Sequence, residues 1–561
     1  MFKSLILLLV FVSIAVSGPV ERLDELTREY TDLRAKFYPV WATGVGIHDY
    51  DSQLTDYSAE TIFTYRNDIS IILQELLQMN ADKFKGDNSI NFKLLKSSIE
   101  YDEFNLAKFP LHELSMALYI DEPLDGIYSL LIDNSRTMEE KAPFILARMK
   151  AIGDFIESRW EYQAFAAPIF YDSAIETVDG GKKLIEEAAQ VLYEALPDST
   201  RRTALYRNNA LGDLKSFKIF CGVEKDDATG THVIGKRNLD YLLKNIHFLD
   251  IDSDSLKKIG WQWYNKCSAA MDSLGLIIQA KDPSGSTQSA YNDSLTRDDI
   301  LNYYQWEIDQ TAKFFKENDI VTIPDNIGAC IPVEMPVFMR AIRKGIAYQP
   351  PPAFSTDQTG YFYVRPLEDL DSLAKVKYGN LIEKRGFKGS IVHEAFPGHH
   401  LQLGIANTHP SPLRRIQHNT LFLEGWALYC EQMATEQGLF ADDDLDSRWH
   451  GVYGGIRYRA VRIIVDCSLA DGSMTPDSAL VFMNNLLGES TEYFTAEIRR
   501  YCANPTQALS YLTGKLIILD MLEKARKKEG NSFSLKQFHD LILAEGSIPP
   551  SLIAEKLGYN K

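Results

Sequence analysis

Apolar residues recur at intervals of three and four positions along the chain, which is the spacing of one face of an α-helix. Polar residues fill the positions between them, so we expect amphipathic helices that bury the apolar face. Two sets show the pattern clearly: Leu23, Leu26, Tyr30, Leu33 and Phe37, and then Leu184, Ala188, Val191, Leu192 and Ala195, the second ending before Pro197.

A further helix is expected near the end of the sequence, where Ser534 is a suitable N-cap for an apolar pattern that ends before Gly546. Strand-like segments are few. The best is YFYV at residues 361–364, which lies between the prolines at 350–352 and Pro366. The pattern predicts a mostly α fold with a small β-sheet.

The chain has 561 residues, of which 45% are hydrophobic and 24% charged, as in globular proteins. Single hydrophobic cores stop growing near roughly 250–300 residues, so we expect one large bilobal unit with a deep central cleft. The segment GVEKDDATGTH at residues 222–232 is a soft boundary. It divides an N-terminal helical part, residues 18–230, from a second part, residues 231–561.

Residues 1–17 (MFKSLILLLVFVSIAVS) resemble a secretory signal peptide, with one lysine, an apolar run and small residues at the cleavage positions. The run is shorter than the ~20 residues of a membrane span, and no later run reaches that length. We expect a secreted or extracellular protein that begins near Gly18, with a lysosomal or other lumenal compartment as the alternative. The sequon at Asn292 fits export, where the six cysteines permit one to three disulfides.

The formal net charge of −18 opposes binding to phosphate backbones, so we expect no nucleic-acid partner. Two acidic runs, residues 250–254 and 442–446, lack the loop pattern of a calcium site. We expect both runs to be solvated surface.

Three histidines lie within residues 393–400 (HEAFPGHH), beside a glutamate. Imidazole and carboxylate groups are the ligands of catalytic zinc, where three protein ligands leave one position open for water. On an unbroken helix, His399 and His400 would lie about 9 and 10.5 Å along the axis from His393, too far to share one ion. The pair Pro397-Gly398 is suited to break the helix and to bring a second histidine back. Without that break the histidines have only a structural role.

Glu424 is the expected third ligand, because it lies in an apolar and apparently buried helix where an unpaired carboxylate is costly. An ordinary salt bridge to an arginine is the alternative. Glu431 follows seven residues later and is expected to orient a ligand. Glu394, beside His393, is the expected general base, which would take a proton from an attacking water and pass it to a leaving amine. The set predicts a hydrolase with one zinc ion.

HEAFPGHHLQ followed by FLEGWALY resembles the hallmark of the family called domain of unknown function 885. The likeness covers most of the chain, including residues 42–58, 234–243, 459–480 and 497–516. The family is similar to the gluzincin metallopeptidases, whose zinc is held by two histidines and a glutamate. The resemblance implies a large helical gluzincin-like fold, a zinc-dependent peptidase and short peptides as substrates.

The family pattern H-E-x-x-P-G-H implies His393 and His399 as ligands, with His400 as the alternative to His399. Glu424 follows His399 by 25 positions, an interval similar to that of helical gluzincins. One departure is visible, since Ala470 stands where the family usually has a histidine, and any contribution of that histidine is lost.

The last matching block supplies polar groups for an oxyanion or a peptide carboxylate. They are Arg500, Tyr501, Gln507 and Tyr511, with Tyr511 preferred as the transition-state donor. Arg462 and Asp466 stand four residues apart and are expected to form a structural ion pair.

Two other classes of function stay open at this point. A catalytically silent relative would keep the fold and act as a binding protein, and a zinc hydrolase would act on a non-peptide amide or ester. A serine or cysteine hydrolase is disfavoured, because the sequence has no G-x-S-x-G motif and no cysteine in a nucleophilic context.

Overall fold

A computed structural model of the chain describes residues 18–161, 166–281, 295–336, 339–340, 345–488 and 491–560. The predicted signal peptide and the sequon at Asn292 lie outside these residues. The fold is mostly helical with one small sheet, as the sequence pattern predicts.

Helices make up nearly all of the N-terminal part. The helix α1 contains the first apolar set, and α8 contains the second and ends two residues before Pro197. The helices up to residue 281 are α1 (Pro19–Phe37), α2 (Pro39–Val45), α3 (Ala59–Gln78), α4 (Asp87–Ala107), α5 (Leu111–Leu114), α6 (Leu118–Ile132), α7 (Met138–Glu157), α8 (Pro168–Ala195), α9 (Thr200–Glu224), α10 (Lys236–Tyr241) and α11 (Ser253–Lys281).

The second part continues with helices, of which α17, α18 and α21 are long and pack against one another. These helices are α12 (Arg297–Glu317), α13 (Ser372–Glu383), α14 (Lys388–Glu394), α15 (His399–Asn407), α16 (Pro412–Arg415), α17 (Thr420–Glu436), α18 (Leu445–Asp471), α19 (Pro476–Leu487), α20 (Thr491–Ala503), α21 (Ser510–Glu529), α22 (Leu535–Leu543) and α23 (Pro550–Leu557). Ser534 caps α22 by accepting a hydrogen bond from the Gln537 amide, as predicted.

The sheet has three strands in the order β1-β3-β2: β1 (Cys330–Glu334), β2 (Ala347–Gln349) and β3 (Gly360–Val364). The central strand β3 is parallel to β1 and antiparallel to β2. It contains the YFYV segment predicted to be a strand, and Phe362 and Val364 in it are fully buried. Helix α12 packs against β1 and against α14, so the sheet lies close to the histidine motif.

The predicted boundary at residue 230 falls in the loop between α9 and α10. Each of the two main clusters of buried apolar residues contains side chains from both sides of that boundary. One cluster extends from Leu23 to Tyr559 and the other from Phe104 to Leu512. The two predicted parts therefore share their cores.

Arg148 fixes the N-terminal helices to one another. Its side chain is fully buried on α7, and all three guanidinium nitrogens donate hydrogen bonds. Nη1 donates to the Gly126 carbonyl at 2.6 Å, Nη2 to the Thr43 hydroxyl at 2.7 Å and Nε to the Gln53 carbonyl at 3.1 Å. The buried charge thus connects α2, α6 and α7.

All six cysteines lie within the described residues, and each is buried and unpaired, so the one to three disulfides that the sequence permits do not form. Among the described helices, none is long and apolar enough to cross a membrane.

Candidate metal centre

His393, His399 and Glu424 converge on one point between α14, α15 and α17. One donor atom from each lies within 4.8 Å of the other two. The Glu424 Oε2 atom is 3.4 Å from the His399 Nε2 and 3.7 Å from the His393 Nε2. Two atoms that each bind zinc at about 2.0–2.2 Å with tetrahedral angles lie roughly 3.4 Å apart. The spacing and the donor set therefore fit a zinc ion.

A break between two helices makes this convergence possible. Helix α14 ends at Glu394 and α15 begins at His399, so the residues between them carry the chain back on itself. A Cβ at position 398 would lie 1.9 Å from the His393 carbonyl oxygen, and only glycine fits there. Trp426 holds the turn by donating from its indole Nε1 to the Pro397 carbonyl at 2.7 Å. The break predicted from Pro397 and Gly398 is present.

Glu431 orients the first histidine from the far side. Its Oε1 lies 2.8 Å from the His393 Nδ1, which leaves Nε2 directed at Glu424. Burial opposes the imidazolium, but the hydrogen bonds to Glu424 and Glu431 outweigh it and raise the pKa of His393 above its usual range. A carboxylate on the outer nitrogen is the usual partner of a zinc-binding histidine.

His400, the alternative ligand, faces away from this point. Its Nδ1 is 2.8 Å from the Tyr348 hydroxyl on β2, and its ring packs edge-on against Phe396. Burial lowers the pKa of His400 to about 4, so the ring is neutral at physiological pH. The structure therefore places His399 with His393 and Glu424, and places His400 against the sheet.

Glu394 has the exposure and the freedom that a general base needs. Its carboxylate forms no hydrogen bond or ion pair with any residue in the described part of the chain, and it remains partly accessible. It acts electrostatically on His393 and on Cys330 and Tyr348 of the sheet. The carboxylate thus lies between the histidine motif and the sheet.

A glycine contact between α17 and α21 brings Tyr511 to the site. A Cβ at position 514 would lie 1.7 Å from the Leu421 carbonyl oxygen, and one at position 425 would lie 2.6 Å from the Gly514 backbone. The two helices touch backbone to backbone, and Tyr511 is therefore beside Glu424. Burial, together with its interaction with Glu424, raises the pKa of the Tyr511 hydroxyl, which keeps it a proton donor.

Arg500, the arginine predicted to lie at the site, is hydrogen-bonded to neighbouring side chains instead. Arg500 donates to Glu497 at 2.8 Å and to the Gln507 side chain, and it stacks over Tyr501. Its guanidinium is thus engaged by neighbours on α20 and in the loop before α21.

Arg462, on α18, lies closer to the centre, with its guanidinium 4.0 Å from the Tyr511 ring centroid. The ion pair predicted between Arg462 and Asp466 is absent, because Asp466 instead accepts hydrogen bonds from the backbone amides of Thr506 and Leu509, at 3.0 and 2.8 Å. Its carboxylate fixes the loop before α21 and does not neutralise the arginine.

Ala470, at the family's histidine position, is buried eight residues after Arg462 on α18, about 12 Å along the helix. Its carbonyl accepts hydrogen bonds from the amides of Ile234 and Gly235.

A cavity of about 230 Å³ lies at the N-terminal end of α17, and none of the three candidate ligands lines it. Thr420 lines it one helical turn before Glu424, and Gln507 lines it in the loop that leads into α21. Its opposite wall comes from the N-terminal part, with Tyr30, Arg34 and Trp41. Both predicted parts of the chain therefore border this space.

Three contributors were not identified from the sequence as parts of the site: Trp426, Gly514 and Arg462. Trp426 and Gly514 lie inside segments that were noted for other residues, and nothing local indicates which backbone they approach. The sequence did contain an indication for Arg462, which directly precedes the apolar run IIVDCSLA. Burying a charged side chain in such a segment costs free energy unless the charge is paired or functional. The same argument identified Glu424.

Comparisons with known proteins place the chain in a family without assigning an activity. No curated protein matches the sequence. Two solved structures are similar in fold. One is described as "a putative lipoprotein of unknown function from Shewanella oneidensis", with a TM-score of 0.77, 17% identity, and coverage of 95% of this chain and 99% of that chain. The other is "the putative lipoprotein from Colwellia psychrerythraea", with a TM-score of 0.79, 20% identity, and coverage of 96% and 98%.

The family model described as "Bacterial protein of unknown function (DUF885)" matches residues 39–557, nearly the whole described chain, including every residue of the candidate centre. The chain belongs to this family.

Proposed function

We propose that the protein is a zinc-dependent metallopeptidase of gluzincin type that hydrolyses short peptides outside the cytoplasm. The observation that carries the proposal is the convergence of His393, His399 and Glu424 beside an unpaired Glu394. A protein that only binds partners has no chemical need for a free carboxylate next to a metal-ligand set. The expected location rests on the apolar N-terminus and on the description of both similar structures as lipoproteins.

The two histidines and Glu424 would hold the ion, and Glu431 would keep His393 in the tautomer that binds through Nε2. When bound, zinc supplies Lewis acidity, which makes water a better nucleophile near neutral pH and polarises a carbonyl group. The chain's own side chains carry out the proton transfers and stabilise the oxyanion.

Glu394 takes a proton from water as the water oxygen adds to the scissile carbonyl carbon. Tyr511 donates a hydrogen bond to the developing oxyanion, which its raised pKa permits. Glu394 then delivers the proton to the amide nitrogen as the carbon–nitrogen bond breaks. The products are one carboxylate and one protonated amine, because the first proton of the water reaches the nitrogen through Glu394 and the second is lost from the new carboxyl group to the amine.

The test is mass-spectrometric profiling of a diverse peptide library incubated with the purified, zinc-loaded chain and with its Glu394→Gln variant. We expect cleavage by the unchanged chain only, because the amide of glutamine cannot accept the proton. Glu436→Gln is the matched control, since Glu436 is an exposed residue of α17 that bonds only to Gln432 among the described residues. This variant should cleave like the unchanged chain.

A fully active Glu394→Gln variant would refute the mechanism. If the folded, zinc-loaded chain cleaves no peptide in the library, the peptidase proposal fails. The two remaining functions are then hydrolysis of a non-peptide amide or ester, and binding without catalysis. A panel of acyl esters and amides separates them.

A further inference from the structure

Arg462 is a buried cation that has no hydrogen-bond or ion-pair partner in the described chain, and Glu497 acts on it only electrostatically. Only 4% of the residue is exposed. None of its three guanidinium nitrogens forms a hydrogen bond with a described residue, and Nε and Nη2 are fully enclosed. No carboxylate of the described residues lies within ion-pair distance of it. Most buried polar groups are hydrogen-bonded, and a buried charge without a partner is costly.

The surroundings of Arg462 are aromatic. The guanidinium faces the rings of Tyr511, Tyr501 and Tyr458, with its carbon 4.0, 5.4 and 5.5 Å from the respective centroids. Stacking on tyrosine faces holds the guanidinium plane without using its N–H donors. The carboxylate nearest in sequence, Asp466, is occupied by two backbone amides. The N–H donors of the planar Arg462 guanidinium are therefore available to a group that the described chain does not supply.

The position of the Arg462 guanidinium relative to the candidate metal centre limits what the guanidinium can bind. One tyrosine ring, that of Tyr511, separates the guanidinium from Glu424. An extended peptide advances about 3.3–3.6 Å per residue, so a group at Arg462 lies on the order of two residues from a bond at the metal centre. Nη1 is the one guanidinium nitrogen that is not enclosed, and a hydrogen bond from it to a carboxylate is charge-assisted, which a bond to a neutral group is not.

From this geometry we propose that Arg462 is the receptor for the free α-carboxylate of the substrate, so that the enzyme releases the last one or two residues of a peptide. The inference rests on the proposed peptidase function and narrows it to a carboxypeptidase.

The test uses pairs of short peptides that differ only in a free or an amidated C-terminus. We expect kcat/KM to favour the free acid by about 10- to 100-fold, the range of a charge-assisted hydrogen-bonded pair. In Arg462→Met this ratio should fall toward one, and in Arg462→Lys it should fall part of the way, because lysine keeps the charge and loses the planar guanidinium. Arg457→Met is the matched control, five residues earlier on α18 and about 140° around its axis, and it should keep the ratio.

A second readout is independent of turnover. In the Glu394→Gln background, N-acetyl-L-alanine should bind more tightly than N-acetyl-L-alanine amide by calorimetry, and Arg462→Met should remove the difference. Equal cleavage of acid and amide by the unchanged chain would overturn the inference and leave the peptidase proposal intact. Carboxylate binding through Arg462 without any peptide cleavage would refute the peptidase function and retain the receptor. If Arg462→Met does not fold, the inference is tested with the unchanged chain and Arg462→Lys. The measured quantity is again the ratio of kcat/KM for the free-acid peptide to kcat/KM for the amidated peptide.

Discussion

Two buried arginines in different regions of the molecule show how a structural charge differs from a charge placed for a ligand. In the N-terminal helices, Arg148 is fully buried and donates from each nitrogen to carbonyl and hydroxyl groups of α2, α6 and the loop before α3. Beside the candidate metal centre, Arg462 is almost as buried and has no hydrogen-bond partner among the described residues. The first region is complete without a ligand, whereas the second leaves donors unused.

The same contrast separates neighbouring histidines. The His400 Nδ1 has the Tyr348 hydroxyl as a partner and its ring packs against Phe396, while its Nε2 is buried without a partner in the described chain. His399, one residue earlier, has its Nε2 directed at Glu424 and its Nδ1 without a partner in the described chain. What separates the two rings is the group that each one faces: His400 faces a tyrosine of the sheet, and His399 faces the carboxylate that it shares with His393.

Replacement of His399 with alanine should abolish zinc binding and reduce hydrolysis to background. His400→Ala should keep one zinc per chain and lose instead about 1–3 kcal/mol of stability, from the bond to Tyr348 and the cavity that is left. Zinc content after dialysis and denaturant titration measure the two effects. Loss of zinc from His400→Ala alone would show that the ligand assignment is wrong.

Gly514→Ala should prevent folding or cost more than about 3 kcal/mol, because the new Cβ would lie 1.7 Å from the Leu421 carbonyl oxygen. Gly212→Ala is the control, on α9 with open space around its Cβ, and it should stabilise the chain by about 0.5–1 kcal/mol. Thermal denaturation compares them. A Gly514→Ala chain as stable as the unchanged one would contradict the close contact of α17 and α21.

Arg148→Met should lower the free energy of unfolding by about 2–4 kcal/mol, since several buried acceptors lose a charged donor. Arg462→Met should leave this free energy unchanged or raise it, because it removes a buried charge that has no hydrogen-bond or ion-pair partner among the described residues. Urea denaturation of both variants gives the comparison directly. A large loss of stability in Arg462→Met would mean that the charge has a structural role.

Glu431→Gln should weaken zinc binding by about 10- to 100-fold, the usual cost of losing the carboxylate that orients a ligating histidine. The amide still accepts or donates one hydrogen bond, so the fold should be retained. Competition with a chromophoric chelator gives the affinity. Glu436→Gln, on the same helix and exposed, should bind zinc like the unchanged chain.

Trp426→Phe should cost about 2–4 kcal/mol, because it removes the hydrogen bond from Nε1 to the Pro397 carbonyl and part of a fully buried ring. Trp306→Phe, in a partly exposed position on α12, should change stability by less than about 0.5 kcal/mol. Equal effects in the two variants would indicate that the turn before His399 does not depend on this bond.

Much of the fold could be predicted from local pattern. The apolar spacing of α1 and α8, the cap at Ser534 and the strand at residues 361–364 each depend on residues close in sequence, and all four features are present. The pair Pro397-Gly398 likewise indicated a helix break before His399, because these residues disfavour a regular helix whatever surrounds them. Local chemistry was sufficient for these predictions.

Other features could not be predicted locally. The i, i+4 spacing of Arg462 and Asp466 suggested an ion pair, but Asp466 bonds to backbone amides of a loop that is distant in sequence. Arg500 is engaged by Glu497 and Gln507. The six cysteines permitted disulfides, and the packing keeps all six apart. In each case the partner was chosen by the packing of distant helices.

The sequence alone determined the helical character, the helix break at Pro397-Gly398 and the set of groups able to bind zinc, because these follow from side-chain chemistry and short-range backbone preference. The tertiary structure decided which histidine faces Glu424, which tyrosine stands beside it, and that Arg462 is buried without a hydrogen-bond partner among the described residues. Those outcomes depend on the contact of α17 with α21 at Gly425 and Gly514 and on the packing of α18 beside them. Such contacts join residues far apart in the chain, and no local pattern specifies them.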